Sequence, residues 1–284
     1  KVTNQAVLLR AGAAEAIQDV TIENVSVSGS NVIMDTTSHA FGTPAMFFIN
    51  NSLNVNLHNI SITDNTHYGH SSKHSVDMNY AGGIYASAQL SAGGTINAGK
   101  IYIANNTFEL DAGTEVKCEG GLVNFITKGE DSSINIDGGF VLDNNTIILR
   151  NHSHSHGANA SSPGMYLRTQ KGTINVSSSN NYDDWVILDD GTIIDHTQIS
   201  NNELFTSFGK EGDINGVFRI NSGNGAINVE GLSITGNYFH NDVAAESQSA
   251  VSGSLRVNSL GIFAEAGSDN TITFTNLNIS DNTA

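Results

Sequence analysis

Short segments in which apolar and polar residues alternate make up most of the chain, and clusters of Asn, Gly and Ser separate them. Val, Ile, Phe and Thr dominate these segments, and a period of two residues with such side chains is typical of β-strands that bury one face. Asn and Gly suit the connecting turns because both tolerate the left-handed region of backbone conformation. The pattern therefore predicts an all-β protein.

A four-residue motif recurs along the chain and consists of an aliphatic residue, two polar residues and an Asn. Its six copies occupy residues 62–65 (ITDN), 103–106 (IANN), 142–145 (LDNN), 199–202 (ISNN), 234–237 (ITGN) and 279–282 (ISDN). A degenerate seventh copy occupies residues 27–30 (VSGS). The unequal intervals between the copies favour a fixed repeating frame with loops of variable length.

Two further strand elements accompany each motif. One is a small residue followed by an apolar strand, at residues 83–85, 121–123, 164–166, 216–218 and 261–263. The other has the form Thr/Ser-Ile-Asn-Val/Ile, at residues 95–97, 133–136, 173–176, 226–229 and 271–274. Three short strands per repeat predict a right-handed parallel β-helix of about seven three-strand coils, in which each strand pairs with its equivalent in the next coil. We therefore interpret residues 1–284 as one elongated domain and as a segment of a longer protein.

The Asn of the four-residue motif has a predicted structural role. At a fixed corner of each coil its amide can lie inside the solenoid, where stacked amides satisfy one another's donors and acceptors. Buried amides are tolerated only when such a stack is continuous. We expect this ladder to comprise Asn65, Asn106, Asn145, Asn202, Asn237 and Asn282. The competing interpretation is that an Asn-rich chain places Asn after aliphatic residues by chance.

Charge and composition exclude several classes of function. The chain carries 12 Lys and Arg against 28 Asp and Glu, for a formal net charge of -16 at pH 7. This field repels phosphate backbones and anionic membrane surfaces, so we expect no nucleic-acid partner. No apolar run approaches the roughly 18 residues that span a bilayer, so this segment is not expected to be membrane-embedded. Cys118 is the single Cys, which excludes a disulfide within the chain.

The repeat elements carry a resemblance to a known family. The aliphatic-x-x-Asn motif, paired with AGGI at residues 81–84 and EGGL at 119–122, resembles the FxxN and GGAI repeats of the chlamydial polymorphic membrane proteins, although Ile or Leu replaces the Phe here. Those repeats form autotransporter-type adhesin passengers. The resemblance implies an extracellular or outer-surface location and a non-catalytic role. We expect the chain to bind a host or bacterial cell-surface protein or glycan by avidity, without a cofactor.

The alternative function is that of a β-helical polysaccharide-degrading enzyme, a glycoside hydrolase or lyase. Its candidate catalytic residues are Asp183, Asp184, Asp189 and Asp190. Paired carboxylates can protonate a leaving oxygen and activate water, and the nearby Trp185 could stack on a sugar ring. The basic residues that would bind a uronate are limited to Arg168 and Lys171 in this region. The competing interpretation is a set of solvated acidic turns.

Histidines are concentrated in two segments. His152, His154 and His156 alternate along residues 152–156, which would place three imidazoles on one side of an extended segment and could hold Zn²⁺. His67, His70 and His74 form the earlier group. The competing interpretation is that polar loops of this kind are simply exposed to solvent.

Overall fold

The computed structural model describes residues 7–10, 17–36, 41–42, 46–71, 76–78, 82–88, 93–112, 116–118, 121–151, 159–160, 164–208, 212–241, 255–268 and 270–284. Within these ranges lie thirty strands, numbered β1 to β30 in chain order, and one 3₁₀ turn, Tyr182–Asp184. The protein is therefore all-β over the part described, as the alternating pattern predicts.

A seven-stranded sheet, here called sheet A, shows that the chain returns seven times to the same face. Its strands are β1 (Val7–Arg10), β5 (Phe47–Asn50), β9 (Ile84–Ala88), β13 (Val123–Thr127), β18 (Met165–Thr169), β25 (Phe218–Ser222) and β29 (Ile262–Ala266). Neighbours pair in parallel and in register, as in Val123 with Ile84 and Met165. We call each return a coil, and the seven coils follow one another in chain order.

Sheet B carries both the Thr/Ser-Ile-Asn-Val/Ile element and the aliphatic-x-x-Asn motif. Its nine strands are β2 (Ile17–Ser28), β6 (Ser52–Thr63), β10 (Thr95–Ala104), β14 (Ser133–Asp137), β15 (Phe140–Asp143), β19 (Thr173–Ser177), β22 (Thr197–Ser200), β26 (Ile227–Thr235) and β30 (Ile272–Ser280). A residue with positive φ, such as Asn59 (φ 53) or Gly231 (φ 69), bends the long strands between the two elements. The buried residues accordingly shift phase, from Val55 and Leu57 to Ile60 and Ile62 in β6.

Sheet C follows the ladder Asn and corrects the predicted three strands per coil. It comprises β3 (Asn31–Thr36), β7 (Thr66–Ser71), β11 (Thr107–Ala112), β16 (Thr146–Asn151), β23 (Glu203–Phe208) and β27 (Tyr238–Asn241). In six coils a further short strand follows the strand of sheet C. These strands are β4 (Phe41–Gly42), β8 (Val76–Met78), β12 (Val116–Cys118), β17 (Asn159–Ala160), β24 (Gly212–Asn215) and β28 (Leu255–Ser259). The prediction missed sheet C because segments such as THYGHS read as polar loops.

The strand pairings are those expected of a solenoid, and they are consistent with a parallel β-helix. Among the described residues one pair of strands is antiparallel, β20 (Val186–Ile187) with β21 (Ile193–Ile194), and it lies outside the stacked frame. A single cluster of buried side chains runs from Val20 to Phe239 through the interior. Within the described part of the chain, no helix is long and apolar enough to cross a membrane.

Close stacking explains the small residue that precedes each strand of sheet A. A Cβ added at Gly83 would lie 2.7 Å from the carbonyl oxygen of Leu122 in the next coil, and one added at Gly164 would lie 2.5 Å from that of Val217. Such distances leave no room for a side chain. The repeated glycine therefore lets successive coils approach at this corner.

The corner before each ladder Asn requires a left-handed residue, and this yields a first prediction. Asn105 (φ 57), Asn144 (φ 52) and Asn201 (φ 53) occupy it in consecutive coils. We expect Asn144→Ile to be about 1–2 kcal/mol less stable than Asn144→Gly, because a side chain branched at Cβ clashes in this conformation. Both variants lose the hydrogen bond from Asn144 Nδ2 to Asn105 Oδ1 equally. Urea unfolding midpoints measure the difference, and equal midpoints would contradict it.

Candidate functional site

The six motif asparagines form a continuous inner ladder. The backbone N–H and Nδ2 of Asn65 both donate to Asn106 Oδ1, at 3.0 and 2.9 Å. Asn106 donates in the same way to Asn145 Oδ1, at 3.1 and 2.9 Å. The pattern continues through Asn202 and Asn237 to Asn282. The degenerate copy takes part through the backbone N–H of Ser30, which donates to Asn65 Oδ1.

The inner ladder serves the frame and leaves little for a ligand. Asn65, Asn106, Asn145, Asn202 and Asn237 are buried, and Asn282 is partly buried. Their Nδ2 atoms also donate to backbone carbonyl oxygens, as from Asn145 to Ile103 at 2.9 Å. Because neighbouring amides and carbonyls use these groups, a binding surface has to lie elsewhere.

A second row of amides lies on the outer face of sheet B. Asn97 Nδ2 donates to Asn56 Oδ1 at 2.8 Å, and Asn135 Nδ2 donates to Asn97 Oδ1 at 2.9 Å. Asn175 donates to Asn135 at 2.9 Å, and Asn228 donates to Asn175 at 3.0 Å. These residues are half-buried or exposed, unlike the inner ladder. We call Asn56, Asn97, Asn135, Asn175 and Asn228 the outer amide row.

The fifth coil carries an insertion, residues 178–196, that covers part of this outer face. In the sixth coil the single Gly231 joins the two halves of β26, whereas in the fifth these residues separate β19 from β22. Val186 and Ile194 of the insertion pack on Val141 of β15, which is fully buried. Ser61 and Ser233 occupy the same outward row in other coils. We attribute the apolar residue at position 141 to the insertion, which covers the sheet at this point.

Two glycines allow the insertion to pack closely. A Cβ at Gly139 would lie 2.5 Å from the carbonyl oxygen of Ile194 and 2.6 Å from the backbone nitrogen of Val186. Gly138 has φ 83, and a Cβ there would lie 2.7 Å from Asp184. The backbone N–H of Gly139 donates to the carbonyl oxygen of Asp184 at 2.8 Å. Asp184 is thus fixed against the bend of sheet B between β14 and β15.

An open cleft lies between the insertion and the bend of sheet B. Its volume is about 490 Å³. The side chains and backbone that line it belong to Glu23, Asn56, Leu57, His58, Asn97, Ala98, Gly99, Asn135, Asp137 and Asp184. Leu57 and Ala98 are buried in the interior and contribute only backbone. The polar side chains that line this cleft are therefore three rungs of the outer amide row, three carboxylates and His58.

Of the four candidate catalytic aspartates, Asp184 lines the cleft. Its Oδ2 accepts a hydrogen bond from Ser179 Oγ at 2.9 Å. Asp183, Asp189 and Asp190 are exposed. Asp190 lies in the turn of the β20–β21 hairpin, where the backbone N–H of Thr192 donates to its Oδ1 at 2.9 Å. Asp184 thus lies at the cleft, whereas Asp190 lies in an exposed turn of the insertion.

Two groups in this region, Asp190 and Tyr102, have shifted pKa values. Hydrogen bonds from Thr192 lower the pKa of Asp190 below its ordinary value. A general acid at neutral pH needs a raised pKa, so this shift has the opposite direction. Burial raises the pKa of Tyr102, and the nearby negative charges of Asp143 and Asp189 add to the effect.

The structure describes His67, but most of the other candidate histidines lie outside the described residues. His152, His154 and His156 lie outside the described residues, as do His74 and the side chains of His70 and Cys118. His67 lies in the interior with 5% of its surface exposed. Among the side chains that the structure describes, no group of three or more His, Cys, Asp or Glu is arranged to hold a metal ion.

A comparison of the chain with protein-family models, with curated proteins and with solved structures finds no match. The cleft residues Glu23, His58 and Asp137 were not predicted from the sequence. A signal for the outer amide row was present, because the Asn of Thr/Ser-Ile-Asn-Val/Ile alternates with inward aliphatic residues and therefore faces outward. The signal for the insertion was the apolar Val141 at an outward position.

Proposed function

We propose that the chain is a binding solenoid of a cell surface, a right-handed parallel β-helix that holds a host or bacterial surface protein or glycan without turning it over. The parallel pairings of sheets A, B and C support a helical course, and parallel connections are right-handed in about 98% of cases. The likeness of its repeats to those of chlamydial polymorphic membrane proteins supports an autotransporter-type adhesin outside the cell.

The observation that carries this proposal is the insertion at residues 178–196. One side of its hairpin packs on Val141. The other side exposes Ile187 (44%) and Ile193 (52%), which pair across the hairpin, and Tyr182 (59%) is exposed nearby. Apolar groups that a rigid frame presents to solvent are typical of recognition surfaces. The inner ladder and the apolar core supply that frame.

The exposed patch of Tyr182, Ile187 and Ile193 is expected to make weak individual contacts. Tight interfaces depend on several buried aromatic or Arg anchors, and this patch offers one Tyr and two Ile. Display of many copies raises the apparent affinity by about 10²–10⁴ when the geometry allows simultaneous engagement. We therefore expect binding to be detectable mainly in multivalent form.

The test compares beads coated with the wild-type chain and with a variant that lacks the insertion. In the variant, residues 178–196 are replaced by one Gly, as at Gly231, and Val141→Ser restores a polar outer row. We expect wild-type beads to bind host or bacterial cells and the variant beads to lose binding while circular dichroism still shows β-structure. Equal binding by both, or none by either, would contradict the proposal.

The same preparation tests the enzymatic alternative. Neutral and acidic polysaccharides are incubated with the chain, and new reducing ends are measured. No release is expected. Release that disappears in Asp184→Asn, the candidate aspartate that lines the cleft, or in Asp189→Asn or Asp190→Asn would assign the chain to the polysaccharide-degrading enzymes and contradict a purely binding role.

A further inference from the structure

We propose that the cleft beside the insertion binds a neutral, extended glycan that runs along Asn56, Asn97 and Asn135, an inference that rests on the proposed binding function and names a ligand class for it. The cleft lies on the bend of sheet B, between the outer amide row and Asp184. It is distinct from the exposed Ile187 and Ile193, which do not line it.

The outer amide row retains hydrogen-bonding capacity for a ligand. A side-chain amide has two N–H donors and an oxygen with two lone pairs. Asn97 uses one donor toward Asn56 and one lone pair for Asn135. One donor and one lone pair of Asn97 therefore remain. Asn135, by contrast, uses its second donor on Ser133 Oγ at 3.2 Å. Sugar hydroxyls both donate and accept, so they complement such a row.

The spacing of the rungs matches the repeat of an extended glycan. Adjacent strands lie ~4.8 Å apart, so the three cleft amides repeat at that interval along the solenoid. A β-linked hexose chain in its extended form advances by about one strand spacing per ring. Each ring of such a chain can therefore meet one rung. The amide, imidazole and carboxylate side chains that line this cleft can form hydrogen bonds with sugar hydroxyls.

The negative charge of the cleft selects a neutral glycan. The carboxylates of Glu23, Asp137 and Asp184 line the cleft, and the whole chain carries a formal net charge of -16. Uronate or sulfated chains would be repelled at this surface. The cleft crosses β2, β6, β10 and β14 before it meets the insertion, which is ~14 Å at the spacing of neighbouring strands and fits three or four rings.

The test is titration calorimetry with β-linked oligosaccharides of glucose and of N-acetylglucosamine, two to six rings long. Binding should strengthen up to about four rings and then level off. Asn97→Ala should weaken the affinity about five- to tenfold, the loss of one or two hydrogen bonds. Asn228→Ala, at the far end of the same row and outside the cleft, should match wild type.

A second variant and a charged oligosaccharide complete the test. Asn97→Thr is a second variant that suits the strand, since Thr21 and Thr273 occupy the equivalent positions in the strands on either side of the outer amide row. Oligogalacturonate of equal length should not bind. The inference is overturned if no neutral oligosaccharide binds, if Asn228→Ala weakens binding as much as Asn97→Ala, or if oligogalacturonate binds equally well. Persistent binding of the wild-type beads to cells would then leave the proposed function standing, whereas its absence would remove both.

Discussion

Acidification from pH 7 to pH 5 is expected to lower the free energy of unfolding by about 2 kcal/mol through His67 alone. His67 lies in the inner row of sheet C, with its ring centre 6.1 Å from that of Phe108, and its Nε2 has no hydrogen-bond partner. Burial lowers the pKa of His67 from 6.5 to about 4. Between these values the unfolded chain binds a proton that the folded chain does not, so stability falls as the pH falls from 6.5 to 4.

The measurement is urea unfolding at pH 7, 6 and 5 for wild type and for His67→Leu. Leu204 holds the same row two coils beyond Phe108, so Leu suits the position. The difference in stability between the two proteins should change by about 2 kcal/mol over this range. Ile147→Val, in the same row, should give an offset of about 1 kcal/mol at every pH. Parallel pH profiles for wild type and His67→Leu would show that His67 titrates alike in both states.

His67 also shows why sheet C was not predicted. Its row of inward side chains holds the second residue after each ladder Asn: His67, Phe108, Ile147, Leu204 and Phe239. Four of the five are apolar, so a search aligned on the Asn would have revealed this strand. The alternating pattern of a single segment did not, because each strand of sheet C buries few apolar residues within a polar stretch.

The frame was predictable because its signal repeats. An inward amide requires an aliphatic residue three positions earlier and a left-handed residue immediately before it, as at Asn105 and Asn144. That local pattern recurs in each coil and is visible in the sequence. The sequence therefore located all six rungs, which the structure places in one hydrogen-bonded row.

The cleft was not predictable in the same way because it depends on contacts that occur once. Asp184 meets Gly138 only because the insertion folds back over β15 and buries Val141. Neither residue repeats with the coils. A cluster of aspartates in the sequence suggested a common site, but it could not show that Asp184 lines a cleft while Asp190 lies in an exposed hairpin turn.

Asn145→Leu is expected to lower the free energy of unfolding by about 3 kcal/mol. Asn145 is fully buried. Its Oδ1 accepts the backbone N–H and Nδ2 of Asn106, and its Nδ2 donates to Asn202 Oδ1 and to the carbonyl oxygen of Ile103. Leu removes these contacts and leaves buried polar groups without partners, at roughly 1–3 kcal/mol for each group.

The matched control is Asn282→Leu at the last rung of the ladder. There the side chain accepts from Asn237 and donates to the carbonyl oxygens of Ile234 and Ser280, but it donates to no further amide of the ladder, and it is partly exposed. Because water reaches this rung and can replace part of these contacts, we expect a smaller loss than at Asn145, about 1 kcal/mol. Both variants are measured by urea unfolding at pH 7, with circular dichroism to show that the native β-structure persists.

Asn145→Asp separates the role of the donor from that of the shape. Asp keeps the size of Asn and one acceptor oxygen, but it loses both N–H donors and would bury a charge unless it became protonated. We therefore expect Asn145→Asp to be at least as unstable as Asn145→Leu at pH 7. If both variants at position 145 unfold at the wild-type midpoint, the stacked amides contribute no net stability, and the frame is held by its apolar core and parallel backbone pairing alone.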